Sequence, residues 1–145
     1  MKNEPLIIER TFNASVERVW KAITSKDDMK QWYFDLAEFK PEVGFEFQFE
    51  AGTDEKKWLH ECKVTEVMME RKLTYSWRYP GYDGISFVTF ELFPEGEKTR
   101  LKLTHAGLET FPSDVPELKK ENFEFGWNSL IGDSLKKYLE GTTPA

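Results

Sequence analysis

The C-terminal segment constrains this chain most. Trp127, Leu130, Ile131, Leu135 and Tyr138 recur there at helical spacing, after a long stretch in which aromatic residues alternate with polar ones. A helical period calls for a helix with one apolar stripe, and a two-residue period calls for strands with one apolar face. Each such face needs a partner. One striped helix laid across a curved sheet satisfies both, and the space between them is either solid core or a ligand pocket.

The strands are read from their alternation. Leu6-Ile7-Ile8-Glu9-Arg10-Thr11-Phe12 is β-branched and apolar, without a helix start, and predicts an opening strand. From Ala37 the period is two: Phe45, Phe47 and Phe49 alternate with Glu46, Gln48 and Glu50. After a turn at Gly52-Thr53-Asp54-Glu55, Trp58, His60, Cys62 and Val64 share a face, and beyond Met68-Met69-Glu70-Arg71 so do Leu73, Tyr75, Trp77 and Tyr79. Pro80 to Gly84 is a loop signal. Val88, Phe90 and Leu92 form the next inward set, Pro94 to Glu97 a turn, and Leu101, Leu103 and His105 the last strand. Short turns between successive strands imply an antiparallel meander.

Helices are placed by their caps. Ser15 as N-cap, Glu17 in the first turn and Val16, Val19, Trp20 and Ile23 at helical spacing predict a helix from about Ser15 to Thr24. Ser25 with Asp28 three residues on resembles a capping box opening a second short helix through Met29 and Trp32. Trp20 and Trp32 are expected to pack these helices against the open end of the sheet, with Trp32 and Tyr33 as alternative mouth residues. Phe111 to Asn122 reads as a charged loop in which Asp114 and Glu117 make another cap. The final helix follows from about Phe123 to Glu140, with Gly141 as its terminating residue.

Composition bounds what this frame does. At 145 residues the chain is expected to be one domain, residues 1–145. Aromatic residues make up 15% of it, 12 Phe, 5 Trp and 5 Tyr, a load of large flat rings that leaves room for a slot between sheet and helix. Twenty Lys and Arg against 26 Asp and Glu give a net charge of -6, with no basic cluster longer than pairs such as Lys56-Lys57 or Lys119-Lys120, which argues against nucleic acid as a partner. Met1 to Ile8 holds no signal-peptide core, and no segment has the length of a membrane span, so no membrane partner and a cytoplasmic location are expected. Cys62 is the single cysteine, which excludes an internal disulfide. Two His and one Cys supply too few ligands for zinc, so no metal or other cofactor is expected.

The order of strand, two short helices, meander and long final helix is that of the helix-grip fold, and the local words fit one family within it. Asn13-Ala14-Ser15-Val16-Glu17-Arg18-Val19-Trp20-Lys21-Ala22-Ile23-Thr24 is followed by Trp32 and by Gly44 ahead of a Phe-rich strand. Leu73-Thr74-Tyr75-Ser76-Trp77, then Thr99-Arg100-Leu101-Lys102-Leu103-Thr104-His105-Ala106-Gly107, then Gly126-Trp127 with Leu135 to Gly141, complete the pattern. The chain thus resembles, over nearly its whole length, the homologues of the activator of the 90-kDa heat-shock protein ATPase, in the START-like superfamily that includes the birch pollen allergen. That resemblance implies an α+β helix-grip fold. Its curved antiparallel sheet would have six or seven strands, with two short helices after the first strand and a long C-terminal helix packed across it. The superfamily hosts lipid carriers, hormone receptors, cyclases and oxygenase domains, so it implies a fold more than an activity.

If the sheet curves around the final helix, Phe47, Trp58, His60, Tyr75, Trp77, Phe90, Leu103 and His105 face Trp127, Ile131 and Leu135. A mostly apolar concavity with a few polar groups suits a small hydrophobic or amphipathic molecule, and a non-enzymatic binding module is the expected function. Cys62 reads as a small buried hydrophobe, and His60 and His105 as hydrogen-bonded core histidines. Two alternatives stand beside this. The resemblance raises a chaperone as partner, through an outer surface. A hydrolase or cyclase-like enzyme would draw its base from His105, His60, Tyr75 or Glu124, the last only if burial raised its pKa, solvated helix surface being the expected place for it.

Overall fold

The computed structural model describes residues 5–33, 36, 38–52, 57–112, 114, 115 and 118–141. Strand β1 (Leu6–Phe12) precedes helices α1 (Val16–Thr24) and α2 (Lys26–Trp32). Strands β2 (Glu46–Gly52), β3 (Lys57–Met68), β4 (Lys72–Arg78), β5 (Ser86–Glu95) and β6 (Lys98–Ala106) follow, and α3 (Lys120–Ser129) opens the final helix. The six strands form one antiparallel sheet in the order β1-β6-β5-β4-β3-β2. This is the helix-grip arrangement, with six strands.

Register aligns the inward side chains into rows across the sheet. Leu6, His105, Val88, Tyr75 and Val64 pair in sequence across five strands, and the next row runs Ser86, Trp77, Cys62 and Phe47. Because strand side chains alternate in direction, matching these rows puts every one of them on the helix side. All nine are buried. A register shift between Val64 and Glu66 inserts an extra residue into β3, a bulge of the kind that bends a strand. The outer face departs from simple alternation on β4, where Thr74 and Ser76 are buried as well. They are short side chains, and each bonds a neighbouring strand: Thr74 Oγ1 meets Thr89 Oγ1 at 3.1 Å and Ser76 Oγ accepts from the Lys63 amide at 3.1 Å.

The final helix crosses the inward face with Phe123, Trp127, Ile131 and Leu135 buried, a strict four-residue repeat. In an α-helix of 3.6 residues per turn such a row drifts steadily around the axis. Here the helix changes to wider π-type winding over Leu130–Leu135 and again over Lys137–Gly141, which takes more residues per turn and turns the row back toward the sheet. Gly132 lies where the Arg10 side chain crosses the helix, and a β-carbon there would sit 3.4 Å from the guanidinium. Arg10 also bonds Asn128 at 2.8 Å, so this residue leaves the inward alternation of β1 to hold the helix from outside. At its far end the helix is tied to the chain before and within α1. The Glu140 carboxylate accepts from the Asn13 amide at 2.8 Å, and the Arg18 guanidinium lies 4.7 Å over the Tyr138 ring.

Several local expectations are corrected. Ser15 caps α1 as expected, accepting from the Arg18 amide at 3.2 Å, but the Ser25 side chain makes no capping bond to α2. Asp28, assigned to that box, is drawn instead to Arg18 at 3.0 Å, a charge pair joining the two short helices. The final helix begins at Lys120, inside the expected loop, with Lys119 at its cap position. Gly141 falls within the last turn rather than after it. Thr53, Asp54 and Glu55 of the expected turn, and Glu117 of the expected cap, lie outside the described residues.

Candidate functional site

The interior between sheet and final helix is built from rings joined by a few polar bonds. The Trp127 indole N–H donates to His105 Nδ1 at 2.9 Å, and His105 Nε2 lies 2.8 Å from Ser86 Oγ, which donates to the Trp77 carbonyl at 3.0 Å. An indole N–H only donates, so Nδ1 accepts and the proton of the neutral ring sits on Nε2, directed at Ser86. The relay therefore has one direction throughout. Burial pushes the His105 pKa down to about 3, which keeps the ring neutral. With both nitrogens committed, His105 acts as a polar tie between α3, β6, β5 and β4.

Tyr33, just past α2, enters the same interior. Its ring stacks on Trp127 with centroids 6.0 Å apart and an interplanar angle of 19°, and its hydroxyl lies 2.6 Å from that of Tyr75. Burial raises both phenol pKa values well above the ordinary range, with Tyr75 and Cys62 adding to the effect at Tyr33. Nearby, the Trp77 indole donates to the Tyr79 hydroxyl at 2.9 Å. Burial also pushes the Cys62 thiol up, away from nucleophilic thiolate character. Asp28 is the one buried carboxylate among the described residues, and it lies with Arg18 between the short helices. The ring-lined interior is thus polar in places but uncharged.

His60 differs from His105. Its ring stacks on Phe49 at 4.6 Å and 6°, and meets Trp77 at 4.9 Å and Tyr79 at 4.8 Å edge to face. Nδ1 is buried with no hydrogen-bond partner, the single such side-chain atom among the described residues. Burial lowers the His60 pKa to about 4, opposed by the nearby Phe49 and Trp58 carbonyls. Trp58 and Tyr82, both half-buried and 5.1 Å apart, adjoin this group through Tyr79, whose ring lies 5.4 Å from that of Trp58.

Two loops close over this end. Gly84 and Gly107 have φ of +104° and +86°, and a β-carbon on either would strike backbone: the Thr110 carbonyl and the Ile85 carbonyl respectively. Only glycine admits both the approach and the left-handed conformation. The Ile85 amide donates to Thr110 Oγ1 at 2.9 Å. This clasp carries Phe111 against Tyr79 at 5.3 Å and Phe123 at 6.0 Å.

Of the residues expected from sequence, Trp77, His105 and Trp127 meet at the centre with pairwise ring separations of 5.3 to 6.0 Å. Tyr75 and Phe90 adjoin them, and Phe47 packs on Tyr75 at 5.0 Å. Leu103, Ile131 and Leu135 are fully buried beneath. His60 lies toward the rim and Trp58 on it. Glu124 is exposed and borders a solvent-open hollow with Ile7 and Lys120, so it is no buried base. A second hollow, of about 560 Å³, lies on the outer face between β2 and β4, bordered by Glu46, Glu61, Lys63 and Arg78. Sequence reasoning missed Tyr33 as an interior residue and Ser86 as a relay member. For Ser86 a signal existed: a polar residue in register with Val88, Phe90 and Leu92 on an inward face needs a buried partner.

Among the described residues, no group of three His, Cys, Asp or Glu could hold a metal ion, and no helix is long and apolar enough to cross a membrane. The sequence pattern of the family described as Activator of Hsp90 ATPase homolog 1-like protein matches residues 13–140. No curated protein shows a significant match to the chain. Solved structures do. Mll3558 from Rhizobium loti superposes with a TM-score of 0.82 at 24% identity, over 94% of this chain and 97% of that one. BH1534 from Bacillus halodurans gives 0.75 at 25% identity, over 97% and 100%. DynU16, from the dynemicin biosynthetic locus, gives 0.78 at 21% identity over 98% of this chain, which spans 49% of DynU16.

Proposed function

The chain belongs to the Activator of Hsp90 ATPase homolog 1-like family, and on that premise we propose that it is a non-enzymatic module binding a small hydrophobic or amphipathic molecule between the sheet and the final helix. The observation that carries this reading is His60 Nδ1, a buried polar atom without a partner in a cage of rings. A buried polar group left unpaired costs about 1–3 kcal/mol, and a ligand oxygen or N–H would recover that. The half-buried Trp58 and Tyr82 supply an apolar rim beside it. An uncharged, aromatic interior favours a neutral or weakly polar guest over an ionic one.

The non-enzymatic part rests on the chemistry of the inward groups. A general base needs a free lone pair and a pKa near the working pH. His105 Nδ1 is taken by Trp127 and its pKa lies near 3, while the phenols and the thiol are held protonated by burial. Amide NMR titration with decanol, myristate and a set of flat polycyclic aromatics tests the proposal. Shifts centred on His60, Trp77 and Trp127 are expected; a full panel without perturbation there would remove the binding role.

The family's description raises chaperone activation as a second reading, and Ile7, Ile85 and Phe87 are exposed apolar side chains outside the packed interior. ATP hydrolysis by a purified 90-kDa heat-shock protein, measured with and without this protein, decides it.

A further inference from the structure

The outer face of the sheet has an order of its own. Register lines up its side chains in rows that run from β1 across β6 and β5 to β4. One row reads Glu9, Lys102, Glu91, Lys72, alternating strictly in charge. The next reads Ile7, Thr104, Thr89, Thr74, and the one beyond it continues with Ala106, Phe87 and Ser76. These last two rows hold no charge, and Ile7 and Phe87 are exposed apolar side chains within them. In a single sheet, opposite charges on neighbouring strands commonly serve each other. Here the two outer members of the charged row have partners outside it, Glu9 with Arg100 at 3.2 Å and Lys72 with Glu66 at 3.1 Å. The two central members, Lys102 and Glu91, enter no ion pair among the described residues, although they stand directly opposite in register.

We propose that this face is an interface between two copies of the chain, related by a two-fold axis that runs along the strands midway between β5 and β6. Such an axis lays β5 of one copy over β6 of the other and β4 over β1. Each residue keeps its place along the strands, so every row meets its own reverse. Lys102 then faces the partner's Glu91, and Glu91 the partner's Lys102, which pairs the two charges left free within one chain. Glu9 falls opposite the partner's Lys72. Phe87, the largest side chain of the uncharged rows, falls on the partner's Ala106, the smallest, and the symmetry repeats the contact. Moving the axis onto β6 or β5 would set Lys102 on Lys102 or Glu91 on Glu91, so the charged row excludes those pairings. The sheet bends toward the final helix and its outer face is convex, which confines close contact to the central strands. The interface is therefore small, with a dissociation constant of about 1–100 µM. The ligand-binding role proposed above does not depend on it.

Sedimentation velocity on the purified protein, from about 5 to 500 µM in low salt, reads the association. A monomer–dimer equilibrium that weakens with added salt is expected. Lys102→Glu and Glu91→Lys each put two like-charge pairs into the dimer and weaken it about tenfold or more. Mixed in equal amounts, the two variants regain the wild-type affinity as a heterodimer, because both pairs are then opposite in charge. Charges that served each other within one chain would give no such rescue. Phe87→Ser leaves the charges in place and weakens the dimer about tenfold as well. Should that variant fail to fold, as read by its circular dichroism melt, the charge variants decide alone. A wild type that stays monomeric throughout overturns the proposal; if the 90-kDa heat-shock protein then responds to this protein and not to Phe87→Ser, the face belongs to that partner instead. A dimer indifferent to the charge variants uses another face, and weakened single variants without rescue on mixing rule out the axis; either result overturns the proposal too.

Discussion

Trp127 and His105, 22 residues apart in the chain, are joined by a buried N–H···N bond of 2.9 Å that sets the histidine's tautomer and docks the final helix onto β6. The polar chain that ends on the Trp77 carbonyl takes its direction from that donor, since Nε2 must then point its proton at Ser86.

Replacing the donor while keeping a ring is the first prediction. Trp127→Phe leaves His105 Nδ1 without a partner and opens space against Tyr33 and Trp77. The expected loss is roughly 2–4 kcal/mol of unfolding free energy, from the orphaned acceptor and the lost packing together. Urea denaturation measures it, and a loss under about 0.5 kcal/mol would contradict the relay.

Acid should weaken the fold through both histidines. In the unfolded chain each takes a proton near its ordinary value of 6.5, whereas folding lowers the pKa to about 4 at His60 and about 3 at His105. Between those values and 6.5 the unfolded state binds more protons, so stability rises with pH and falls on acidification. The slope reaches at most ~1.4 kcal/mol per pH unit for each histidine. Urea midpoints recorded from pH 7 to pH 4.5 should decline, and less steeply in His105→Gln. A flat profile would mean that neither ring resists protonation.

His60 should show stability and binding pulling in opposite directions. His60→Phe keeps the stack on Phe49 but removes the unpartnered nitrogen, so the variant is expected to gain about 1 kcal/mol. Ligands that bind the wild type through a polar atom should bind it more weakly. Thermal melts and the NMR titration read the two effects separately; a destabilised variant with unchanged affinity would assign His60 to packing alone.

The loop clasp is tested at Gly84. A β-carbon in Gly84→Ala would collide with the Thr110 carbonyl in a left-handed conformation, at an expected cost of about 1–3 kcal/mol. Hydrogen exchange at the Ile85 amide, which donates to Thr110 Oγ1, should quicken. Exchange at the wild-type rate would show that the clasp tolerates the added carbon.

Legibility varied with how local the signal was. Inward sets such as Leu73, Tyr75 and Trp77, or Leu101, Leu103 and His105, were readable because alternation belongs to the strand itself. The Ser15 cap was readable for the same reason, as it acts over three residues. Ser25 carried a similar pattern, yet its hydroxyl caps nothing: its amide ends α1 on the Lys21 carbonyl, and the Asp28 carboxylate meets a stronger partner in Arg18. Tyr33 has no period to betray it, because it follows the end of a helix, and Arg10 breaks the period of β1 to reach Asn128.

What the amino-acid order alone determined is the succession of elements and the face that each one buries, since periodicity and caps depend on residues within a turn or a strand. The tertiary structure alone decided which polar atoms meet. Trp127 finds His105, Tyr33 finds Tyr75 across 42 positions, and His60 Nδ1 finds nothing, outcomes set by strand register and helix docking. Those depend on distances between segments far apart in the chain, for which no local pattern is a proxy.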